Sequence, residues 1–256
     1  MITGYTKHHS PHSLLNEWLV TNGLGGYASG TIGGTCMRRF HGKLVAAMPA
    51  PLGRTMMLNH LEEWLSGSDG LRVELGGGGA LELFALECGI PLWRYSAAGI
   101  RLEKRVVMPY GQNTVCILYQ LLDGPADLKL HLRPSVNFRP HEGLLSEAAK
   151  AGMRVNGRQV EIYETRELPT LRLALVGDNA KLHEEPRAVE HVLYSLERDR
   201  GYEHEGPLWS PGTIEIDLTK GHNAGLIASV ESWDVIHAMT MAEVLEADRI
   251  RRHRML

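Results

Sequence analysis

The feature that most limits what this chain can fold into is a series of short runs in which apolar and polar residues alternate. Ile100-Arg-Leu-Glu-Lys-Arg-Val-Val-Met108, Asp127-Leu-Lys-Leu-His-Leu132, Gln159-Val-Glu-Ile-Tyr163, Thr170-Leu-Arg-Leu-Ala-Leu175 and Thr213-Ile-Glu-Ile-Asp-Leu218 all approach a period of two. That period sends successive side chains to opposite faces of a strand, so one face is buried and the other is wetter, as in antiparallel sheets. Turn signals separate the runs: Gly76 to Gly79, Asp123-Gly-Pro125, Asn156-Gly157, Gly177-Asp-Asn179 and Lys220-Gly221. Asn156-Gly157 suits a type I′ hairpin. Many short strands with regular turns predict a mainly β fold, an antiparallel β-sandwich. No helical runs alternate with the strands, which argues against a parallel α/β sheet.

This β zone covers residues 71–229. From Ser232 the pattern changes. Serine suits a helix N-cap, and Asp234 falls in the first turn, where the helix dipole favours an anion. Ile236, Met239, Ala242 and Leu245 follow at helical spacing, and Arg249, Arg251, Arg252 and Arg254 suit a helix C-terminus. The reading is a sandwich over residues 1–231 and a single helix over residues 232–256.

A length of 256 residues suits one large β domain, and 43% hydrophobic content suffices for a core. A formal net charge of −3, with no basic excess over the chain as a whole, argues against nucleic acid as a partner. No apolar run approaches the roughly 18 residues of a membrane span, and Met1 to Ser10 lacks the core of a signal peptide. Cys36, Cys88 and Cys116 are odd in number and far apart, which favours free thiols in a reducing, cytoplasmic setting over disulfides or a structural zinc site. His8, His9 and His12 are metal ligands by type only, and their segment reads as a polar tail. No metal or cofactor is expected.

Two motifs lie ahead of the β zone. The first is Glu17-Trp-Leu-Val-Thr-Asn-Gly-Leu-Gly-Gly-Tyr-Ala-Ser-Gly-Thr31. Gly23, Gly25 and Ala28 meet a loose dinucleotide-binding pattern, but no helix-forming stretch follows and no acid lies about 20 residues on to hold a ribose. A glycine-rich turn with exposed amides over Asn22, Gly23, Gly25 and Gly26 remains. The second is Thr35-Cys-Met-Arg-Arg-Phe-His-Gly-Lys-Leu-Val-Ala-Ala47, a polar turn entering a buried strand. It clusters Arg38, Arg39 and His41 in a span, residues 19–61, that holds no acid. A guanidinium fork matches a carboxylate, in this chain or in a neighbour.

These motifs resemble the opening of the bacterial and archaeal glycogen-debranching enzymes of the amylo-α-1,6-glucosidase type, with Phe40 for a tyrosine and Lys43 for a leucine. The resemblance continues through Trp93-Arg-Tyr95, Met108-Pro-Tyr-Gly-Gln-Asn-Thr-Val115, Leu132-Arg-Pro-Ser-Val-Asn-Phe-Arg139 with His141, Glu197-Arg-Asp-Arg-Gly201 and Leu208-Trp-Ser-Pro-Gly212. It implies a supersandwich-like N-terminal domain, with residues 232–256 as a connector towards an (α/α) barrel that carries the catalytic carboxylates and acts on an α-glucan. Asn22, Gly23, Gly25, Gly26, Arg38, Arg39 and His41 are then expected at the substrate cleft or domain interface, with Asn137, Arg139 and His141 as second choices.

The residues themselves point to no catalytic pair. Glycoside hydrolysis uses two carboxylates roughly 5–10 Å apart, one of them with a raised pKa. Glu142, Glu203 and Glu205 read as solvated surface groups, and so do Glu62 and Glu63, whose adjacency on a strand would turn them to opposite faces. Trp93, Tyr95, Tyr202 and Trp209 read as core or interface anchors before sugar platforms. The expected role is a non-catalytic domain that packs on the barrel. The rival role is a free-standing carbohydrate-binding or regulatory module.

Overall fold

The computed structural model of the chain describes residues 2–6, 11–145, 151–164 and 167–255. Among these, the strands form two antiparallel sheets packed face to face. The first has nine strands, in spatial order Ile2–Thr6, Leu81–Glu87, Ile90–Ala97, Ile100–Val107, Thr114–Asp123, Asn223–Ser229, Leu171–Val176, Gln159–Tyr163 and Gly152–Asn156. The second runs Asp178–Leu193, Glu205–Asp217, Lys129–Pro140, Arg54–Ser66, Leu44–Ala47, Tyr27–Thr31 and Glu17–Thr21, and the short strand Arg72–Glu74 pairs with Arg54–Ser66. The mainly β sandwich expected from the alternation is therefore present. A strand follows Gly25 where a nucleotide-binding fold would need a helix.

Alternation does the work locally. In Glu17–Thr21, Trp18 and Val20 are buried while Glu17, Leu19 and Thr21 face out. Apolar residues from the two inner faces merge into one core, where Trp18 meets Trp93 of the opposite sheet edge-on at 5.2 Å between ring centroids. The hairpin joining Gly152–Asn156 to Gln159–Tyr163 forms, but Asn156 pairs with Gln159, so the turn residues are Gly157 and Arg158. Of the two, only Gly157 has positive φ (+59°). Glycine at the first central position is the type II′ pattern, which corrects the type I′ expectation by one residue.

The C-terminal helix is also corrected. Residues 232–256 do not form one helix. A short turn, Trp233–Ile236, is followed by a break and then by the helix Met241–His253. The break falls where Thr240 takes an extended N-cap conformation: its hydroxyl accepts from the Glu243 N–H, and the Glu243 carboxylate accepts from the Thr240 N–H. This capping box opens a new helix, and it shifts the buried stripe from the expected Met239 and Ala242 to Met241 and Val244. With Ile236, these cover Val107, Cys116, Leu118 and Ile227 on the outer face of the nine-stranded sheet. The basic end does more than complement a dipole. Arg249 reaches Glu87, and Arg252 bonds the Gly89 carbonyl and the buried Asp248. Thr240→Ala is expected to cost about 1 kcal/mol, visible as faster amide exchange in the first turn of this helix; unchanged exchange at residues 241–244 would contradict that. Among the described residues no helix is long and apolar enough to cross a membrane.

Candidate functional site

The glycine-rich motif is the turn of the hairpin formed by Glu17–Thr21 and Tyr27–Thr31. Asn22 is fully buried at its centre. Its Oδ1 accepts from the Leu24 and Gly26 N–H groups, and its Nδ2 donates to the Gln112 carbonyl and to Asn113 Oδ1. Asn113 then binds both backbone groups of Ala47. Gly23 sits at φ +80°, and a Cβ there would lie 2.3 Å from the Tyr110 ring. At Gly26 a Cβ would lie 2.8 Å from the Val45 carbonyl. The glycines therefore let two turns close on each other. The polar atoms of Asn22 point into this junction, while Gly23, Leu24, Gly25 and Tyr110 are exposed on it. Arg54, also exposed, donates from Nε to the Gly25 carbonyl.

The arginine motif gathers a second cluster around Glu17, at the end of the same hairpin away from the glycine turn. Arg38 pairs with Glu17, and His41 Nε2 lies 3.0 Å from the same carboxylate. The Met37 N–H donates to His41 Nδ1, so the ring's own proton sits on Nε2 and faces Glu17. Burial pushes His41 down, outweighing the pull of Glu17, so the ring is neutral near pH 7. Partial burial works to raise the Glu17 carboxyl, but the hydrogen bond and charge of Arg38, with the hydrogen bond from His41, hold it below the usual range.

Arg39, Arg139 and His141 meet at the end of the strand Lys129–Pro140. Arg39 donates to the Glu142 and Gly143 carbonyls and lies 3.6 Å from Glu203. Arg139, buried, donates to the carbonyls of Arg39, Pro140 and His141. The His141 ring stacks on Phe40 at 4.7 Å and contacts the Tyr27 hydroxyl at 2.7 Å and Glu142 at 3.0 Å. Tyr27 is pushed up to about 12 by burial. The His141 N–H donates to the Arg54 carbonyl, which joins this cluster to the glycine turn. Seven of the ten candidate residues, Asn22, Gly23, Gly25, Gly26, Arg39, Arg139 and His141, therefore lie toward one end of the second sheet, while Arg38 and His41 sit with Glu17 at the far end of the hairpin. Asn137 stands apart: it is buried within its strand and donates to the Pro207 carbonyl. Sequence reasoning missed the residues that present this edge to solvent, namely Leu24, Arg54, Tyr110 and Glu142. Leu24 and Tyr110 lie inside quoted motifs; Arg54 does not.

The acids divide differently from expectation. Glu62 and Glu63 do face opposite ways on Arg54–Ser66. Glu62 is partly exposed, 4.0 Å from Arg133. Glu63 is no surface group. It is buried between the sheets, with Lys104 Nζ at 2.6 Å and the Tyr119 hydroxyl hydrogen-bonded to it. Burial would raise its carboxyl, but Lys104 and Lys43 outweigh that and hold it low, so it is an ionised structural anion. Lys43, whose Nζ lies over the Trp18 ring at 5.0 Å, is pushed down to about 8 by burial and by Lys104. Trp93 and Tyr95 are core residues, and Tyr202 is exposed. His8 and His9 lie outside the described residues. Among the described residues no three His, Cys, Asp or Glu side chains are placed to hold a metal ion.

With this geometry in hand, the chain can be set beside known proteins. No curated protein matches it in sequence. Two solved structures resemble it in shape. One is a human-microbiome protein described as a kojibiose phosphorylase, with 9% identity and a TM-score of 0.49 over 98% of this chain and 37% of that one. The other is a bacterial glucoamylase complexed with acarbose, with 10% identity and a TM-score of 0.42 over 96% and 38%. The chain thus spans little more than a third of the length of either. A family model described as the glycogen debranching enzyme N terminal matches residues 16–224, which include nearly every strand of both sheets and all of the candidate edge. On that match, the chain belongs to the glycogen debranching enzyme N-terminal family.

Proposed function

We propose that this chain is a non-catalytic N-terminal sandwich of a glycogen-debranching glycoside hydrolase. In this reading it packs through its glycine-and-arginine edge onto an (α/α) barrel catalytic domain of the same polypeptide and borders the cleft where α-1,6-glucosidic bonds of an α-glucan are hydrolysed. The observation that carries the reading is the family match over residues 16–224. The chemistry of that edge supports it. Arg39 and Arg139 are spent on backbone carbonyls and hold the turns rigid, which suits a preformed docking edge. The exposed groups there, Leu24, Tyr110 and Arg54, combine an apolar centre with an aromatic and a guanidinium, the residue types that anchor interfaces. Glu62 and Glu63 offer no acid–base pair, because one is partly exposed and the other is fixed by Lys104.

The reading is tested at Leu24, whose side chain is exposed and whose backbone N–H donates to Asn22. In the full-length enzyme, Leu24→Glu is expected to lower kcat/KM on a branched limit dextrin roughly ten-fold, the loss of one interface anchor. The unfolding midpoint of this domain should not move. Unaltered kinetics with an intact fold would refute the docking role of this edge.

A further inference from the structure

A second site lies on the outer face of the second sheet. There, a groove of about 390 Å³ opens between the strands Arg54–Ser66, Lys129–Pro140, Glu205–Asp217 and Asp178–Leu193. Its polar side carries His60, Glu62 and Ser135, and its apolar side carries Val192, Leu193 and Leu208. His60 and Ser135 are direct partners across adjacent antiparallel strands, so their side chains leave the same face about 5 Å apart. Glu62 is two residues from His60 and shares that face.

Two observations mark the groove as more than a surface dent. Ser135 is 1% exposed, lines the groove, and has no hydrogen-bond partner for its hydroxyl. A buried hydroxyl left unpaired is costly, and such groups in native proteins call for an explanation in a water or a ligand. The charges at the rim are also balanced. Glu62 faces Arg133 at 4.0 Å, and Glu74, which also lines the groove, pairs with Arg72 at 2.6 Å. Burial and the nearby Lys43 push His60 down to about 4, so its ring is neutral and offers one donor and one acceptor. A balanced rim disfavours an ionic ligand, and a purely apolar ligand would leave Ser135 unmet.

We infer that this groove binds one or two pyranose rings of a neutral saccharide, the apolar wall lying against the ring's C–H face and His60, Ser135 and Glu62 meeting its hydroxyls. A pyranose has both surfaces, a patch of axial C–H bonds and a rim of alternating donors and acceptors, and the volume falls in the range of small-ligand pockets. The groove chemistry stands by itself; only the choice of an α-1,4-linked probe rests on the debranching reading.

The test is a titration of this chain with maltotriose and, separately, with cellotriose, followed through backbone amide NMR shifts. Saturable shifts confined to residues 59–62, 135–136 and 192–193 are expected. Ser135→Ala should weaken binding roughly five-fold, the loss of one neutral hydrogen bond, while leaving the unfolding midpoint unchanged or higher, since it deletes an unpartnered hydroxyl. Leu193→Asp, at the exposed mouth, should weaken binding further without unfolding the chain. Binding of cellotriose alone would support the groove and count against the α-glucan reading. Shifts that cluster elsewhere, no shifts with either saccharide, or full affinity in Ser135→Ala would overturn the inference while leaving the docking edge to its own test.

Discussion

Glu63→Gln should lower the stability of this chain by about 3–5 kcal/mol, the range seen when one partner is removed from a buried ion pair. The mechanism is the stranding of a cation. Lys104 is buried with its Nζ 2.6 Å from the Glu63 carboxylate, and Lys43 is a second buried amine in the same interior. Glutamine keeps the shape and a hydrogen bond to Tyr119 but leaves two ammonium groups with no anion. Urea denaturation would measure the loss, and a change below 1 kcal/mol would show that the pair contributes little. The pH dependence has a definite sign. Glu63 titrates below its ordinary value, so its contribution is present above about pH 4.5 and declines as pH falls. Lys43 is depressed from 10.5 to about 8, so between those values the unfolded chain binds more protons than the folded one. Stability should therefore rise with pH between about 8 and 10, and Lys43→Met should abolish that rise.

Asn22→Ala is expected to cost about 3 kcal/mol, although the residue sits in a surface turn. The side chain makes four hydrogen bonds; its loss leaves the buried Gly26 N–H unpaired, at roughly 1–3 kcal/mol, and removes the donor that ties the Gln112 carbonyl and Asn113 to this turn, at roughly 1 kcal/mol each. Asn22→Asp separates the two halves of the junction. It keeps the acceptor for Leu24 and Gly26 but loses the donor to Gln112 and Asn113, so the hairpin turn should persist while amide signals of residues 110–113 shift. Denaturation within 1 kcal/mol of the parent, or unmoved signals at residues 110–113, would mean that the two turns do not depend on each other.

These two residues also show where sequence reading succeeds and where it stops. Alternation located Ile100–Val107, Gln159–Tyr163 and Leu171–Val176 to within a residue, because a strand with one buried face records its burial in its own sequence. The break before Met241 was missed because Thr240 and Glu243 are a local signal that competed with a longer apolar spacing, and the capping box won. Glu63 was taken for a surface acid because nothing in its own neighbourhood names Lys104, 41 residues away on the opposite sheet. Asn22 was expected among cleft-facing residues for the same reason, since its partners lie 90 and 91 residues further on. Motif reading gathered the candidate residues, and the strand register brought seven of them toward one end. The direction in which each side chain points depended on contacts between distant segments.

The ion pair between the sheets has a consequence for how the strands find their alignment. The strand Arg54–Ser66 holds thirteen residues and pairs with Lys129–Pro140 along most of its length. A slip of one residue would keep most backbone hydrogen bonds but turn every side chain over. Glu62 or Trp64 would then enter the interior, and Lys104 would meet no properly placed anion. Apolar residues alone tolerate such errors more readily than a charge does. The buried carboxylate thus acts as a key, admitting one alignment of this thirteen-residue central strand and rejecting its neighbours.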